Sequence, residues 1–312
     1  MAARFIALGI IIDDIVFPDG RTRLGVLGGG GPQTAWGMAV AAGSGRDVGL
    51  VAGVGPDFDD EALAPLAAMG IDRTGVHRTD LPTPRAWQLL ETTGRRTHVW
   101  QVDQTTSDRQ THPDWETILR FYPRLEVIHW GIHPEDPHLS PCIPLRERGA
   151  LISLEPFKGL NQPLSDPEAQ ALLTQCDIYS PTWEEAVSIF GVEDRDTLLR
   201  RCHRLGGHVL ALRGGAAGAE VWDLWTGNGV HVPAAPVKAV VDPVGAGDAF
   251  CGALAVTWHQ TRDLALAAVS ASVAASYLVE QVGLPPSPPS AASLRERQRA
   301  VKAGSRHLTW EP

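Results

Sequence analysis

Short apolar runs alternate with helix-patterned stretches along most of this chain, and this alternation constrains the fold more than any other feature. The apolar runs, each bounded by turn residues, are 5–12, 48–52, 127–130, 150–154, 178–179 and 209–212. The helix-patterned stretches are 33–42, 61–69, 115–121, 167–175, 183–190, 194–205, 249–260 and 264–280. Alternation of this kind predicts an α/β fold in which helices cover a mainly parallel sheet.

Two stretches break the rhythm and indicate β-hairpins. They are residues 15–27 and residues 86–102, the second alternating around a turn at 92–95. We interpret them as strands, within about 14–27 and 85–103, of a small lid that leaves the main domain and returns. Such a lid would close over a site and exclude water. With no repeat or low-complexity linker, we expect one domain over residues 1–312.

Composition excludes several classes of protein. No apolar run is long enough to cross a bilayer, so we expect no membrane partner. The net charge of −9 disfavours nucleic acid, which requires a basic face. The four cysteines have no paired spacing, which argues against a disulfide framework and a zinc site. The N-terminal stretch has no small-residue cleavage site before its acids, so we expect a buried first strand and a cytoplasmic protein.

The most informative local motif runs from Gly245 to Asp248. Gly245, Ala246 and Gly247 precede a helix-patterned stretch, so their backbone N–H groups can point at an anion near the positive end of a helix dipole. Asp248 falls in the first turn, where its carboxylate could accept the proton of a hydroxyl during phosphoryl transfer. The same residues also fit a plain tight turn with an acid that stabilises the helix start.

Seven segments, in order along the chain, resemble the PfkB/ribokinase family of carbohydrate and nucleoside kinases. Residues 241–250 (Val-Asp-Pro-Val-Gly-Ala-Gly-Asp-Ala-Phe) resemble the family's C-terminal signature, its most specific motif. Residues 27–34 (Leu-Gly-Gly-Gly-Gly-Pro-Gln-Thr) resemble the N-terminal glycine signature. The other matches are 51–58, 82–84, 94–97, 180–186 and 215–218. The resemblance covers nearly the whole chain. It implies a ribokinase-like, doubly wound, mainly parallel sheet flanked by helices, with a small β-sheet lid.

The resemblance also implies roles for individual residues. Asp248 would be the catalytic base, and the amides of Gly245, Ala246 and Gly247 would form the anion hole. The implied nucleotide-binding residues are Thr182, Arg213, Gly215, Gly218 and Ser272. The implied substrate-binding residues are Asp14, Gly29, Gly30, Gly31, Thr34 and His133, and the implied metal residue is Glu185.

Several of these positions depart from the family pattern or have a structural alternative. Thr34 stands where the family normally has Asn, which suggests a different substrate. Asp13, next to Asp14, is the alternative substrate-binding acid or part of a solvated pair that ends a strand. Thr182 replaces the Asn of an Asn-x-x-Glu motif, and Thr-x-x-Glu is itself a helix capping box.

Three further positions leave alternatives open. Glu155 begins the segment 155–158, where many relatives have an Asp-x-Asn-x-Arg pattern. Arg213 stands where a small polar residue is common; it would pair with a nucleotide phosphate or be only an exposed charge. His133 would face the substrate pocket or be structural.

The sequence therefore supports the hypothesis of a kinase that uses ATP and Mg²⁺. Its acceptor would be a hydroxyl, expected to be primary, of a sugar or sugar-like small molecule. A monovalent cation such as K⁺ is a further candidate cofactor, and a homodimer through the lid strands is a candidate assembly. The alternatives are a nucleoside kinase of the same fold and a non-catalytic sensor that binds nucleotide or sugar.

Overall fold

The computed structural model describes residues 3–92 and 96–311. Fourteen strands lie in this part of the chain: β1 Phe5–Leu8, β2 Ile11–Val16, β3 Thr22–Gly28, β4 Val48–Val54, β5 Asp72–Arg78, β6 Arg85–Leu90, β7 Arg96–Trp100, β8 Val127–Ile132, β9 Leu151–Pro156, β10 Ile178–Tyr179, β11 Val209–Arg213, β12 Ala219–Asp223, β13 Asn228–Val232 and β14 Arg306–Thr309. The turn predicted at 92–95 falls largely on residues 93–95, which lie outside the described residues, as does part of the 94–97 match.

Eleven α-helices connect and cover these strands in the described ranges. They are α1 Gly31–Ala42, α2 Ala64–Ala68, α3 Gln104–Thr111, α4 Trp115–Phe121, α5 Cys142–Arg146, α6 Asp166–Thr174, α7 Trp183–Phe190, α8 Arg195–Arg204, α9 Ala246–Thr261, α10 Leu264–Leu278 and α11 Ala291–Gly304. None of them is both long and apolar enough to span a membrane.

The strands form one large sheet and one small one. The large sheet has ten strands in the order β14-β13-β12-β11-β10-β9-β8-β1-β4-β5, and it is parallel from β11 to β5. Strands β12, β13 and β14 extend it in antiparallel fashion. The four-stranded sheet, β3-β2-β6-β7, contains both predicted hairpins. The predicted fold class, a mainly parallel α/β sheet with a small separate sheet, is confirmed.

The prediction of one strand over residues 5–12 is wrong in detail, because the chain changes sheets at Gly9. Strand β1 ends at Leu8 in the large sheet, and β2 begins at Ile11 in the small sheet. Gly9 has φ of +86°, a left-handed conformation that only glycine adopts readily. The turn at Gly9 therefore allows one apolar run to supply a strand to each of the two sheets.

The predicted helix 61–69 is also shorter than expected. Residues 60–63 form a 3₁₀ turn, and the α-helix proper is α2, Ala64–Ala68. Pro65 has no N–H to donate to the preceding turn, so it suits the first turn of a new helix better than the middle of a longer one.

Helices α1 and α9 cross closely on one face of the large sheet because glycines stand at the crossing. A Cβ on Gly37 would lie 2.2 Å from the carbonyl oxygen of Ala249, and one on Gly252 would lie 2.3 Å from that of Thr34. Both helices pack into a core cluster with α10, where most of their side chains are fully buried. This packing places the start of α9 beside the glycine-rich loop before α1.

Candidate active site

The start of helix α9 carries the predicted anion hole and base. Gly245 precedes the helix with φ of +82°, and no side chain caps it. The N–H groups of this first turn are therefore not covered by a capping side chain of the N-cap residue. Asp248 lies in the first turn and is partly buried. The helix begins three residues before the predicted start, so the Gly-Ala-Gly-Asp segment is the helix N-terminus itself.

The glycine-rich loop brings backbone against Asp248. A Cβ added to Gly30 would lie 2.4 Å from Oδ1 of Asp248 and would push that carboxylate aside, and the φ of +80° at Gly30 also favours glycine. Gly29 and Gly30 both have positive φ, and Gly31, the first residue of α1, packs on the carbonyl oxygens of Leu8 and Gly9. The Thr34 hydroxyl donates to the backbone carbonyl of Asp248 at 3.3 Å. Predicted substrate and catalytic residues from the two ends of the chain thus meet.

Asp14, the favoured substrate-binding acid, is held by the lid sheet itself. Its carboxylate accepts from Arg85 Nε at 2.8 Å and Nη2 at 2.9 Å, from Gln101 Nε2 at 2.8 Å and from the N–H of Gly25 at 2.9 Å. Burial would raise the pKa of Asp14, but Arg85 and the other donors outweigh it and lower the pKa to about 2. The Asp14 carboxylate is therefore ionised, and it connects β2 to β3 and β6 of the small sheet by hydrogen bonds.

Asp13 lies against the glycine loop instead. Its Oδ1 accepts from Gln88 Nε2 at 3.0 Å, and its Oδ2 would be 1.9 Å from a Cβ on Gly28. The pairing of β2 with β3 is irregular between Asp13 and Ile15, and the two adjacent carboxylates have different partners. Of the two acids, the structure brings Asp13 to the segment that also reaches Asp248.

The predicted metal residue Glu185 lies at the start of helix α7. Thr182 and Glu185 form the capping box that their spacing predicted: Thr182 Oγ1 accepts from the Glu185 N–H at 3.2 Å, and Glu185 Oε2 accepts from the Thr182 N–H at 2.7 Å. Burial raises the pKa of Glu185, partly opposed by Arg213, whose Nη2 is 3.6 Å away. The capping interpretation of Thr182 is thus correct, and it leaves Glu185 fixed beside Arg213.

Arg213 is buried, contrary to the alternative of an exposed charge. Its side chain is 11% exposed, and Nη1 is 2.7 Å from Glu155 Oε2. A Cβ on Gly247 would lie 2.1 Å from the same Nη1. The guanidinium therefore lies directly against the predicted anion hole. Sequence reasoning noticed Glu155 only as a departure from the family and did not identify it as the partner of Arg213.

Of the predicted nucleotide-binding residues, two line one cavity, and Gly215 and Ser272 are not in its wall. Arg213 and Gly218 line a cavity of about 310 Å³ beside β11 and β12. A Cβ on Gly218 would lie 2.8 Å from Cα of Pro233, and Ser272 donates its hydroxyl to the Pro233 carbonyl at 2.7 Å. Gly215 has φ of +56° and open space around it. Ser272 is thus near the loop, but its hydroxyl is used by the backbone.

His133 lies in a second, larger cavity at the end of β8. This cavity, of about 670 Å³, includes Asp108, His112, His133, Asp136, His138 and Phe157 in its wall. The His133 ring meets Phe157 edge to face at 5.7 Å, and burial lowers the pKa of His133. The wall of this cavity includes neither Asp248 nor the glycines of the loop before α1.

Comparisons with known proteins find relatives in sequence and in fold. Residues 150–291 match the pfkB family carbohydrate kinase model. A cytidine kinase of Thermococcus kodakarensis is 28% identical over 265 residues, which is 82% of this chain and 88% of that protein. The structure of Arabidopsis thaliana ribokinase with ribose and ATP has a TM-score of 0.70 at 22% identity, covering 96% of this chain and 99% of the other. A structure from Escherichia coli that contains ATP and Mg²⁺ has a TM-score of 0.74 at 17% identity, covering 96% and 100%.

Proposed function

Because this chain belongs to the PfkB/ribokinase family of carbohydrate kinases, we propose that it transfers the γ-phosphoryl group of ATP to a hydroxyl of a sugar-like small molecule. The observation that carries the proposal is the contact between Asp248 and Gly30, which joins the first turn of α9 to the glycine loop. An acceptor hydroxyl held by that loop would lie beside both a carboxylate and the positive end of a helix.

In the proposed mechanism, the Asp248 carboxylate takes the proton of the acceptor hydroxyl as its oxygen attacks phosphorus. The N–H groups of Gly245, Ala246 and Gly247 stabilise the charge on the transferring group. Glu185 would hold Mg²⁺ through Oε1, because its Oε2 accepts from the Thr182 N–H and faces Arg213 at 3.6 Å, and a single carboxylate oxygen is enough when phosphate and water supply the other ligands. Bound Mg²⁺ would neutralise charge on the β- and γ-phosphates.

Replacing Asp248 by Asn tests the base. We expect Asp248→Asn to retain ATP binding and lose turnover by about 100-fold or more, because general-base catalysis contributes about that much. Asp263→Asn is the matched control, since Asp263 caps helix α10 through the Leu266 N–H at 2.9 Å. Both ATP affinity and ADP release with an acceptor should be measured. Turnover of Asp248→Asn within about threefold of wild type would exclude Asp248 as the base.

At the acceptor end, we infer that Asp13 rather than Asp14 binds acceptor hydroxyls. Asp14 already accepts four hydrogen bonds within the small sheet, whereas Asp13 lies against the glycine loop. Asp13→Asn should therefore raise KM for the acceptor more than Asp14→Asn does, with KM for ATP unchanged in both. The reverse order would restore Asp14 to this role.

A nucleoside is the second candidate acceptor, and the cavity around His133 favours it. Its volume of about 670 Å³ suits a ring-bearing molecule, and Phe157, 41% exposed, offers a ring for stacking. The Thermococcus kodakarensis relative, a cytidine kinase, supports the same class. ADP release should be followed with a panel of sugars and nucleosides. Phe157→Ala should impair nucleosides selectively, and Trp225→Ala, at another exposed aromatic residue, should not.

The same assay addresses the non-catalytic alternative. ATP consumption that depends on none of the acceptors would favour a sensor that only binds nucleotide. Consumption that rises with one acceptor class would identify both the reaction and the substrate class.

A further inference from the structure

A buried chain of polar side chains runs beneath the predicted anion hole, across strands β8, β9 and β11. Ser153 Oγ is 2.9 Å from His129 Nδ1, and His129 Nε2 is 3.1 Å from Glu155 Oε1. The other Glu155 oxygen meets Arg213 at 2.7 Å. His129, Glu155 and Arg213, which we call the inner cluster, have side chains that are 1%, 6% and 11% exposed.

The inner cluster ends at two predicted functional groups. The Arg213 guanidinium has Nη1 packed where a Cβ of Gly247 would be, and Nη2 is 3.6 Å from Glu185. Its Nε is buried and has no hydrogen-bond partner within residues 3–92 and 96–311. One guanidinium thus lies between the predicted anion hole and the predicted metal residue.

A contribution to folding stability does not by itself explain why the Glu155–Arg213 ion pair is buried. Removing an ion pair from water costs so much that well-packed hydrophobic residues often serve a protein core equally well or better. Burial alone would raise the pKa of Glu155, but Arg213 and His129 outweigh it and lower the pKa to about 2. The pair is therefore ionised, and it lies at the carboxyl ends of parallel strands, where ligands bind in such sheets.

A metal ion is a less suitable occupant of the same place. His129, Glu155 and Cys251 offer ligand atoms within 4.8 Å of one another. However, the Cys251 thiol, whose pKa is raised far above its usual range by burial, shares Glu155 Oε2 with the Arg213 cation. A metal would have to displace that cation, so the geometry favours the ion pair.

We propose that Arg213 holds Gly247 and Glu185 in their relative positions for phosphoryl transfer, and that His129 and Glu155 are positioning residues that lock Arg213 in place. The inference rests on the proposed function. It predicts that the inner cluster affects turnover and Mg²⁺-dependent ATP binding beyond any effect on folding, because the guanidinium fork bridges two groups that no other described cation touches together.

The decisive variant replaces both charges at once. Glu155→Leu combined with Arg213→Met removes both charges of the 2.7 Å ion pair, and Glu185, which loses its cation, keeps the hydrogen bond from the Thr182 N–H. We therefore expect a folded protein with a melting temperature closer to that of the wild type than either single substitution gives. We also expect kcat to fall by about 10- to 100-fold or more and the Mg²⁺-dependent gain in ATP affinity to shrink, as for other supporting residues. The matched control is Glu126→Leu with Arg4→Met, because Glu126 also joins an arginine and a histidine, at 3.0 and 3.1 Å.

Several outcomes separate the possibilities. A folded double variant with kcat and ATP affinity within about twofold of wild type would show that the inner cluster is only structural. If the double variant does not fold, Arg213→Lys takes its place: it keeps the charge but not the fork, and unchanged kcat would overturn the proposal. If the wild type phosphorylates no acceptor, the proposed function fails, while ATP titrations with and without Mg²⁺ still test the cluster.

Discussion

Two Arg–Glu–His clusters lie near strand β8, one beside the first turn of helix α9 and one beside its last turn, and they differ in burial. The inner cluster, His129, Glu155 and Arg213, is 1–11% exposed. The outer cluster, Arg4, Glu126 and His259, is 23–39% exposed, with Glu126 3.0 Å from Arg4 and 3.1 Å from His259. Residue types are the same in both. The two clusters therefore share their composition and differ in burial and location, and we expect those two differences to set their effects on stability and turnover.

The two clusters lie at opposite edges of the large sheet. Glu126 immediately precedes β8, at the amino end of the parallel strands, and His259 lies in the last turn of α9. The inner cluster lies towards the carboxyl ends of the strands, beside the first turn of α9 at Gly247. The positive end of the helix dipole and the loops of an α/β sheet meet only at that second edge.

The largest expected difference is in stability after removal of one charge. Glu155→Gln leaves Arg213 buried without its main partner, so we expect a loss of about 3–5 kcal/mol in the free energy of unfolding. Glu126→Gln, at the exposed cluster, should cost less than about 1 kcal/mol. Denaturant unfolding of the two variants measures both values. If Glu155→Gln and Glu126→Gln lose similar amounts of free energy of unfolding, burial does not distinguish the two clusters.

A third pair, Asp14 with Arg85, should fall between the two. Asp14 is 4% exposed but Arg85 is 39% exposed. The folded-state pKa of Asp14 is about 2 against an ordinary 3.8, so its ionised form contributes about 2 kcal/mol above pH 4 that is lost as pH falls towards 2. Asp14→Asn should remove that part of the acid dependence. The free energy of unfolding of both proteins between pH 6 and about pH 2 provides the measurement.

The smallest expected effect concerns salt. Arg4→Met should lower the free energy of unfolding by less than about 1 kcal/mol, and most of the loss should disappear at about 1 M NaCl, where the screening length is about 3 Å. Stability differences at the inner cluster should persist in the same salt, because solvent ions do not reach it. A salt-independent effect of Arg4→Met would mean that the outer cluster is also shielded.

Much of the fold followed from local sequence, and the exceptions are instructive. Glycine at 245 and the apolar pattern after it predicted the start of α9 within three residues. The 182–185 spacing predicted the capping box of α7. The break at Gly9 was missed because residues 5–12 are one apolar run, and nothing local shows that its two halves pair with different sheets.

In the candidate site, too, local sequence predicted some features and missed others. Local sequence placed Asp248 in the first turn of a helix and Glu155 at the end of a strand. It did not predict that His129, Glu155 and Arg213 touch, because these residues are separated by 26 and 58 positions and meet only through the register of parallel strands. It favoured Asp14 over Asp13 as the substrate-binding acid, and that choice stays a prediction, since it depends on which side chain of β2 meets the acceptor.

Local sequence was enough to predict the α/β class, most of the long helices to within a few residues, and the capping box of α7, because backbone propensities and capping act over a few residues. Which charges are buried together, and that Asp13 lies against Gly28, became visible only in the folded chain. Those outcomes depend on strand order, register and desolvation, which are properties of distant segments brought into contact.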